Sequence, residues 1–445
     1  MDVTPREFAV RTLAQEYGGG SGAFAVQGDT VVFSNYNDQR LYRQTIGDSS
    51  PFPLTPDYSG PVVRYADGVF DPHFPRYVTV MEDHRNDGLN PVTTITAVTI
   101  SDRDTNEPTV LVSGNDFYAF PRIDPSQKRM AWIEWSNPDM PWDKSQLLVG
   151  EVQKRICIAG GNPTLVESPT EPKWSSKGEL FFITDRQSGF WNIYKWDEQS
   201  NVVIQLYALD AEFSKPIQNG RSYVGVLDHD LGTFSTLDIP FSSVTNIVTG
   251  DGCFYIEGAS ATLPVSIAKV NLDEKGTVAT NFSIVWSSSA DVTKYKSYFS
   301  LPEFIEFPTA IPGQHACAIF YAPYSPSFQG SSDEKPPLLV DLQMKHAGFW
   351  ILMCSIGLAE DGQLLTSTME EAQVVPPDQT KQIYKAIKDT GLPVALVEYE
   401  GEPHGFRKAD NIKFTLEQQM VFFARLVGQF KVADEITPIK IENFD

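Results

Sequence analysis

Three segments of this chain repeat one another. They are Val69-Phe-Asp-Pro-His-Phe-Pro-Arg-Tyr-Val-Thr-Val80, Arg122-Ile-Asp-Pro-Ser-Gln-Lys-Arg-Met-Ala-Trp-Ile133 and Lys173-Trp-Ser-Ser-Lys-Gly-Glu-Leu-Phe-Phe-Ile183. In each, a turn opened by Asp71, Asp124 or Ser175 runs into a short apolar stretch, and the offsets are 53 and 51 residues. A repeat of about 40–50 residues that holds several strands is the signature of propeller blades. A blade cannot cover both of its own faces, so several must ring a common axis. Stacked β-sandwiches would fit the strand spacing but not the repeat.

Working outward, short alternating or β-branched runs recur at 23–26, 30–34, 76–81, 93–100, 130–135, 146–152, 180–184 and 191–196, with Gly, Pro, Asp and Asn between them. Residues 1–300 therefore read as an all-β propeller domain. After 300 the pattern changes. Two more strands, 301–308 and 315–321, precede a Pro/Ser-rich connection at 323–337, and a buried strand begins at 338–340. Near the C-terminus, 378–390 is helical with Ile383, Ala386 and Ile387 on one face and Gly391 as cap. A strand follows at 394–399. A second helix at 411–430 carries Ile412, Leu416, Met420, Phe423, Val427 and Phe430 as its expected buried stripe. Helix, strand, loop and helix form the closing unit of a parallel α/β sheet.

The length of 445 residues allows about three domain-sized units. Apolar residues make up 41%, which is enough for a packed core and excludes a disordered chain. With 35 basic and 57 acidic residues the net charge is −22, which argues against nucleic acid or an anionic membrane surface as partner. No run of 18 apolar residues is present, so no membrane span is expected. Cys157, Cys253, Cys317 and Cys354 are far apart and read as buried free thiols in a reducing, cytoplasmic setting. The six histidines are scattered and form no ligand cluster, so neither a metal nor another cofactor is expected.

The residue best placed for chemistry is His404, in Glu400-Gly-Glu-Pro-His404-Gly-Phe, just beyond the carboxyl end of the 394–399 strand. Open α/β sheets place reactive groups there, although a merely solvated loop histidine would read the same way. A catalytic histidine needs a nucleophile, and no Gly-x-Ser-x-Gly elbow occurs in the chain. Ser21, in Gly18-Gly-Gly-Ser-Gly22, reads as a turn; Ser355, in Met353-Cys-Ser-Ile-Gly357, reads as part of an apolar run. Glu370 and Glu371 precede His404 in an order a triad acid could occupy, while Glu400 and Glu402 read as local charge beside it.

The run Val394-Ala-Leu-Val-Glu-Tyr-Glu-Gly-Glu-Pro-His404-Gly-Phe-Arg-Lys408, preceded by Val374-Val-Pro-Pro-Asp-Gln379, resembles the prolyl oligopeptidase family of serine peptidases, in its dipeptidyl aminopeptidase and acylaminoacyl-peptidase-like branch. Glu16-Tyr-Gly-Gly-Gly20, Asp38-Gln-Arg-Leu-Tyr-Arg43, Phe117-Tyr-Ala-Phe-Pro-Arg122, Met140-Pro-Trp-Asp143 and Phe190-Trp-Asn-Ile-Tyr194 resemble that branch's propeller. The resemblance covers about 1–340 and 373–445. It implies a propeller joined to an α/β-hydrolase domain (here 301–445) that cleaves short or N-acylated peptides with a Ser-Asp-His triad. His404 matches the family's catalytic histidine. The acid's position falls on Ala372, one residue from Glu371. The Gly-Gly-Ser-Ala-Gly-Gly elbow has no counterpart, and Lys345-His346-Ala-Gly348 only faintly echoes the His-Gly-Gly-Pro oxyanion loop.

Residues 341–372 resemble nothing in the family, so the hydrolase portion reads as truncated at an atypical junction and His404 as vestigial. Two functions remain open: a peptidase by descent that is inert as written, or a non-catalytic propeller module binding peptides or protein partners. Apolar burial is worth about 25 cal/mol per Å². Loss of the central strands therefore predicts a poorly ordered 341–372 segment and an aggregation-prone remnant.

Overall fold

The structure, a computed structural model, describes residues 3–14, 22–47, 50–86, 91–100, 104–151, 154–209, 213, 222–250, 252–289, 292–308, 315–329, 338–342, 350–355, 362–369, 377–391, 393–399, 408–427 and 436–444. The chain divides into two compact units. One is Met1–Lys296 with Leu301–Tyr321, and the other is Ser297–Ser300 with Ala322–Asp445.

Among the described residues the first unit shows a β-propeller with five four-stranded antiparallel blades, and a two-stranded sheet of Pro302–Pro308 and His315–Tyr321 belongs to the same unit. Blade I is Phe24–Gln27, Thr30–Ser34, Leu41–Thr45 and Phe52–Pro53; blade II is Val63–Phe70, Arg76–Asp83, Val92–Thr99 and Thr109–Val112. Blade III is Phe117–Ile123, Met130–Trp135, Gln146–Glu151 and Lys154–Ala159; blade IV is Thr170–Trp174, Leu180–Thr184, Asn192–Asp197 and Val202–Tyr207. A two-stranded ribbon, Val224–Asp228 with Thr233–Leu237, precedes blade V, which is Ser243–Gly250, Cys253–Ser260, Leu263–Leu272 and Ala279–Ser287. The first strands of blades I and II touch, as do those of II and III and of III and IV, so each is the inner strand of its blade.

The pleat explains why the repeat was readable. Along Met130–Trp135 all six residues are buried. Met130 and Trp132 pack toward Val78, Val80, Ile95 and Ala97 of blade II, whereas Ala131, Ile133 and Trp135 pack toward Leu180, Phe182, Tyr194 and Trp196 of blade IV. A strand covered on both faces has no polar side to alternate with. The turns that open the second strands also match. Asp71 accepts from the His73 amide at 2.8 Å and from Arg76 Nε at 2.7 Å. Asp124 accepts from the Ser126 amide at 2.8 Å and from Arg129 Nε at 2.8 Å. In blade IV the Ser175 hydroxyl takes the corresponding amide, that of Lys177, at 3.2 Å. These are side-chain-capped turns of the kind Asp and Ser favour. The expectation of buried thiols does not hold for Cys157, which is free but exposed on the outer strand of blade III; Cys253 is free and half-buried.

In the second unit, Leu338–Leu342, Trp350–Ser355, Gly362–Met369 and Val394–Tyr399 form one sheet in that order. Only the last pair is parallel, so the sheet is mixed where an all-parallel one was expected. Two of its strands, and the last two residues of a third, lie inside 341–372, the segment expected to be poorly ordered; 343–349, 356–361 and 370–372 lie outside the described residues. Helix Pro377–Asp389 packs on the last two strands. In helix Ala409–Val427 the first half of the expected stripe is not buried: Leu416 and Met420 are 57% and 63% exposed, and Ile412 is exposed too, while the side chains of Phe423, Val427 and Phe430 lie outside the described residues. Gln418, Val421, Phe422 and Ala424 are buried instead. Residues 436–444 decide this, because Gln418 donates to Thr437 O at 2.9 Å and accepts from the Ile439 amide at 3.0 Å, while Phe422 packs with Ala395 and Ile441.

Candidate functional site

His404 lies within 400–407, outside the described residues, as do Ser21, Glu370, Glu371, Ala372, Glu400 and Glu402. The described residues do show the platform on either side of it. Strand Val394–Tyr399 leads into that connection, and helix Ala409–Val427 follows it. Val394, Ala395 and Tyr399 are buried. The Tyr399 hydroxyl shares a hydrogen bond with Thr415 Oγ1 at 2.6 Å, and Thr415 donates to Asn411 O at 2.7 Å. Phe414 meets the Tyr399 ring edge-on at 6.4 Å. Burial raises the Tyr399 phenol above its ordinary value, which keeps it a neutral hydrogen-bonding anchor. Glu398, one residue earlier, is held by Lys381 at 2.8 Å. Strand end and helix start are thus pinned to one another, which is the support a loop histidine needs for a fixed position.

Ser355 is differently placed. It ends strand Trp350–Ser355 and stands opposite Gly362 in an antiparallel ladder. A nucleophile elbow requires a strand that turns sharply into a helix, lifting the hydroxyl clear of the sheet. A strand that returns as its own antiparallel neighbour offers no such turn.

A second locus, which sequence reasoning missed, lies on the inner strands of the propeller. Asp67, Phe120 and Glu171 all adopt positive φ (51°, 53° and 51°), and each sits at an irregularity where its strand shifts register against the next. Their spacing repeats the 53- and 51-residue offsets, which is the signal that could have found them. Asp67 Oδ2 accepts from the Phe120 amide at 2.7 Å, and Arg122 pairs with Oδ1 at 2.9 Å. The Asp67 amide donates to Gly22 O at 2.9 Å. Gly22, at φ +129°, is obligatory there, since a Cβ would stand 2.6 Å from that amide nitrogen. One aspartate therefore joins the inner strands of blades II and III to the segment entering blade I. Burial pushes its carboxyl above the ordinary range, against the lowering effect of Arg122. At the next repeat Glu171 faces Lys173 at 3.7 Å. At these repeats the inner strands thus carry charges that pair with one another, Asp67 with Arg122 and Glu171 with Lys173.

Among the described residues no group of three or more His, Cys, Asp or Glu side chains could hold a metal ion, and no helix is long and apolar enough to cross a membrane.

No protein-family profile matches the chain, and no curated protein matches it either. Solved structures do. A puromycin-hydrolysing peptidase of Mycobacterium tuberculosis superposes with a TM-score of 0.78 at 21% identity, covering 99% of this chain and 91% of that one. A puromycin hydrolase superposes with a TM-score of 0.79 at 19% identity, covering 99% and 90%. A mutant puromycin hydrolase in complex with PGG gives 0.76 at 19% identity, again covering 99% and 90%. In fold, then, the chain is similar over almost its whole length to puromycin-hydrolysing peptidases.

Proposed function

We propose that this chain descends from serine peptidases of the prolyl oligopeptidase family and, as it stands, is catalytically inert. In this reading residues 1–300 are its propeller and 301–445 what remains of an α/β-hydrolase domain, with 341–372 as an atypical junction, although Leu301–Tyr321 groups with the propeller unit. The fold likeness to puromycin-hydrolysing peptidases supports the descent, as does the run through Val394–Tyr399 to His404. The observation that carries the inertness is the antiparallel pairing of Ser355 with Gly362, in a chain with no Gly-x-Ser-x-Gly sequence anywhere. His404 as a lone base has nothing to activate, and loss of the nucleophile alone removes most of a triad's acceleration.

Short peptides are the ligand class the family resemblance offers. A non-catalytic propeller that binds peptides or protein partners is the form in which this chain would retain a function. Cytoplasmic residence fits the exposed free thiol of Cys157.

The test is to incubate the purified chain with peptidyl-nitroanilides and with a fluorophosphonate probe. Neither turnover nor labelling is expected. Labelling at Ser355, or steady release of nitroaniline that the His404→Ala variant abolishes, would overturn the assignment.

A further inference from the structure

Blade V has one covered face and one bare face. On the covered side Phe254, Ile256, Ala268 and Val270 pack with Phe241 and with Val224 and Leu237 of the preceding ribbon. On the other side strand alternation presents Val248, Tyr255, Val265, Ile267 and Trp286, all exposed; Val248 is 63% and Trp286 53% accessible. Register makes these a contiguous patch, with Val248 opposite Tyr255 and Ile267 opposite Trp286. The Met130–Trp135 strand of blade III, by contrast, is buried on both faces. Contiguous exposed apolar surface of this kind marks an interaction site.

The charges on that face identify its occupant. Glu257 stands opposite Ile267, and Lys269 opposite Tyr255, so the two are diagonal neighbours within the apolar patch. We propose that this face is a homodimer interface, in which blade V of one copy of the chain packs face to face on blade V of a second. A closed two-fold interface must be complementary to itself. A two-fold axis lying between the sheets and bisecting the Glu257–Lys269 line sets each lysine over the partner's glutamate. The same rotation lays the apolar residues of each copy against those of the other, at the spacing of about 10 Å at which stacked sheets pack. Two chains that each carry −22 repel over most of their surface. This patch carries one charge of each sign, so it allows close approach of two copies.

Sedimentation velocity on the full chain, from about 1 to about 100 µM, tests this across the affinities usual for reversible association. The expected result is a concentration-dependent dimer. Lys269→Glu and Glu257→Lys should each place like charges across the axis and weaken association by about tenfold or more, whereas the double reversal restores it. Circular dichroism, and thermal melts taken at concentrations where the wild type is monomeric, should be unchanged in all three, because both positions are on the surface of a formed blade. A wild-type chain that stays monomeric at the highest concentration would overturn the proposal and point to a different occupant for the face. So would a dimer indifferent to both single reversals, or a double reversal that fails to restore it.

Discussion

Arg129 bridges blades III and IV, and replacing it with methionine tests how the propeller is held. Its guanidinium meets Asp124 at 2.8 Å, where the carboxylate is fully buried and the arginine is 10% exposed, and it reaches Glu198 at 2.7 Å. It also lies over the rings of Trp174 at 4.8 Å and Trp196 at 5.6 Å. Methionine keeps much of the stem's packing but leaves the Asp124 carboxylate buried without a cation. Removing one partner of a buried pair costs about 3–5 kcal/mol, mostly through the stranded charge. Although burial alone would raise it, hydrogen bonds from Ser126 and Arg129 hold the Asp124 carboxyl below its ordinary range. Its share of stability is therefore present above the unfolded value of about 3.9 and is lost as pH falls through the lower folded value. In Arg129→Met the stranded carboxylate is relieved by protonation, so the gap to wild type should be largest at neutral pH and narrow toward pH 4. Urea denaturation followed by tryptophan fluorescence reads this directly, since the guanidinium covers Trp174 and Trp196. A double-mutant cycle with Asp124→Asn isolates the pair, with an expected coupling of about 2 kcal/mol. Coupling below about 0.5 kcal/mol, or a gap that does not change with pH, would refute the reasoning.

Other predictions concern single features. Phe422→Ala empties the contact with Ala395 and Ile441 and should cost the second unit about 3–5 kcal/mol. Hydrogen exchange would then rise in Ala409–Val427 and Val394–Tyr399 but not in the blades. Replacing Ile412, Leu416 and Met420 with glutamine should shift stability by no more than about 0.5 kcal/mol per site, because these residues are exposed. A total loss above about 3 kcal/mol in chemical denaturation would mean that the apolar stripe is the buried face after all. Gly160→Ala should lower the melting temperature, since φ is +81° and the new Cβ would lie 1.9 Å from Ser145 O. The left-handed conformation alone costs about 1–2 kcal/mol, so an unchanged melt would contradict the turn geometry.

The propeller was legible because burial on both faces and capped turns act locally. A strand such as Met130–Trp135 is apolar at every position, and the Asp-Pro-x-x-x-Arg turn before it carries its own hydrogen bonds. Both leave marks in a short window that recur from blade to blade. Helix Ala409–Val427 was legible as a helix but not in its orientation. Periodicity selects a stripe whose first three members, Ile412, Leu416 and Met420, stand exposed, whereas Gln418 and Phe422 are buried because residues 436–444 hydrogen-bond to Gln418 and bring Ile441 against Phe422. No window around the helix contains that contact. Asp67 was missed for a similar reason: its importance lies in Phe120 and Arg122, one blade away.

The candidate catalytic half shows what a motif can and cannot establish. Tyr399, Thr415 and Phe414 fix the strand and helix on either side of the His404 connection. That support depends only on an adjacent strand and helix, and not on a nucleophile's strand-turn-helix unit. An elbow, by contrast, needs its strand to lie parallel to its neighbours so that a helix can follow on the sheet's face. Leu338–Leu342, Trp350–Ser355 and Gly362–Met369 run antiparallel in succession, and the chain returns along the sheet at each step. Substituting a better nucleophile at position 355 would leave this topology unchanged. A Ser355→Cys variant should therefore react with peptide-directed electrophiles no faster than an ordinary surface thiol. Rapid, saturable labelling confined to that residue would show that the sheet exposes it as an elbow does, and would remove the physical basis for inertness.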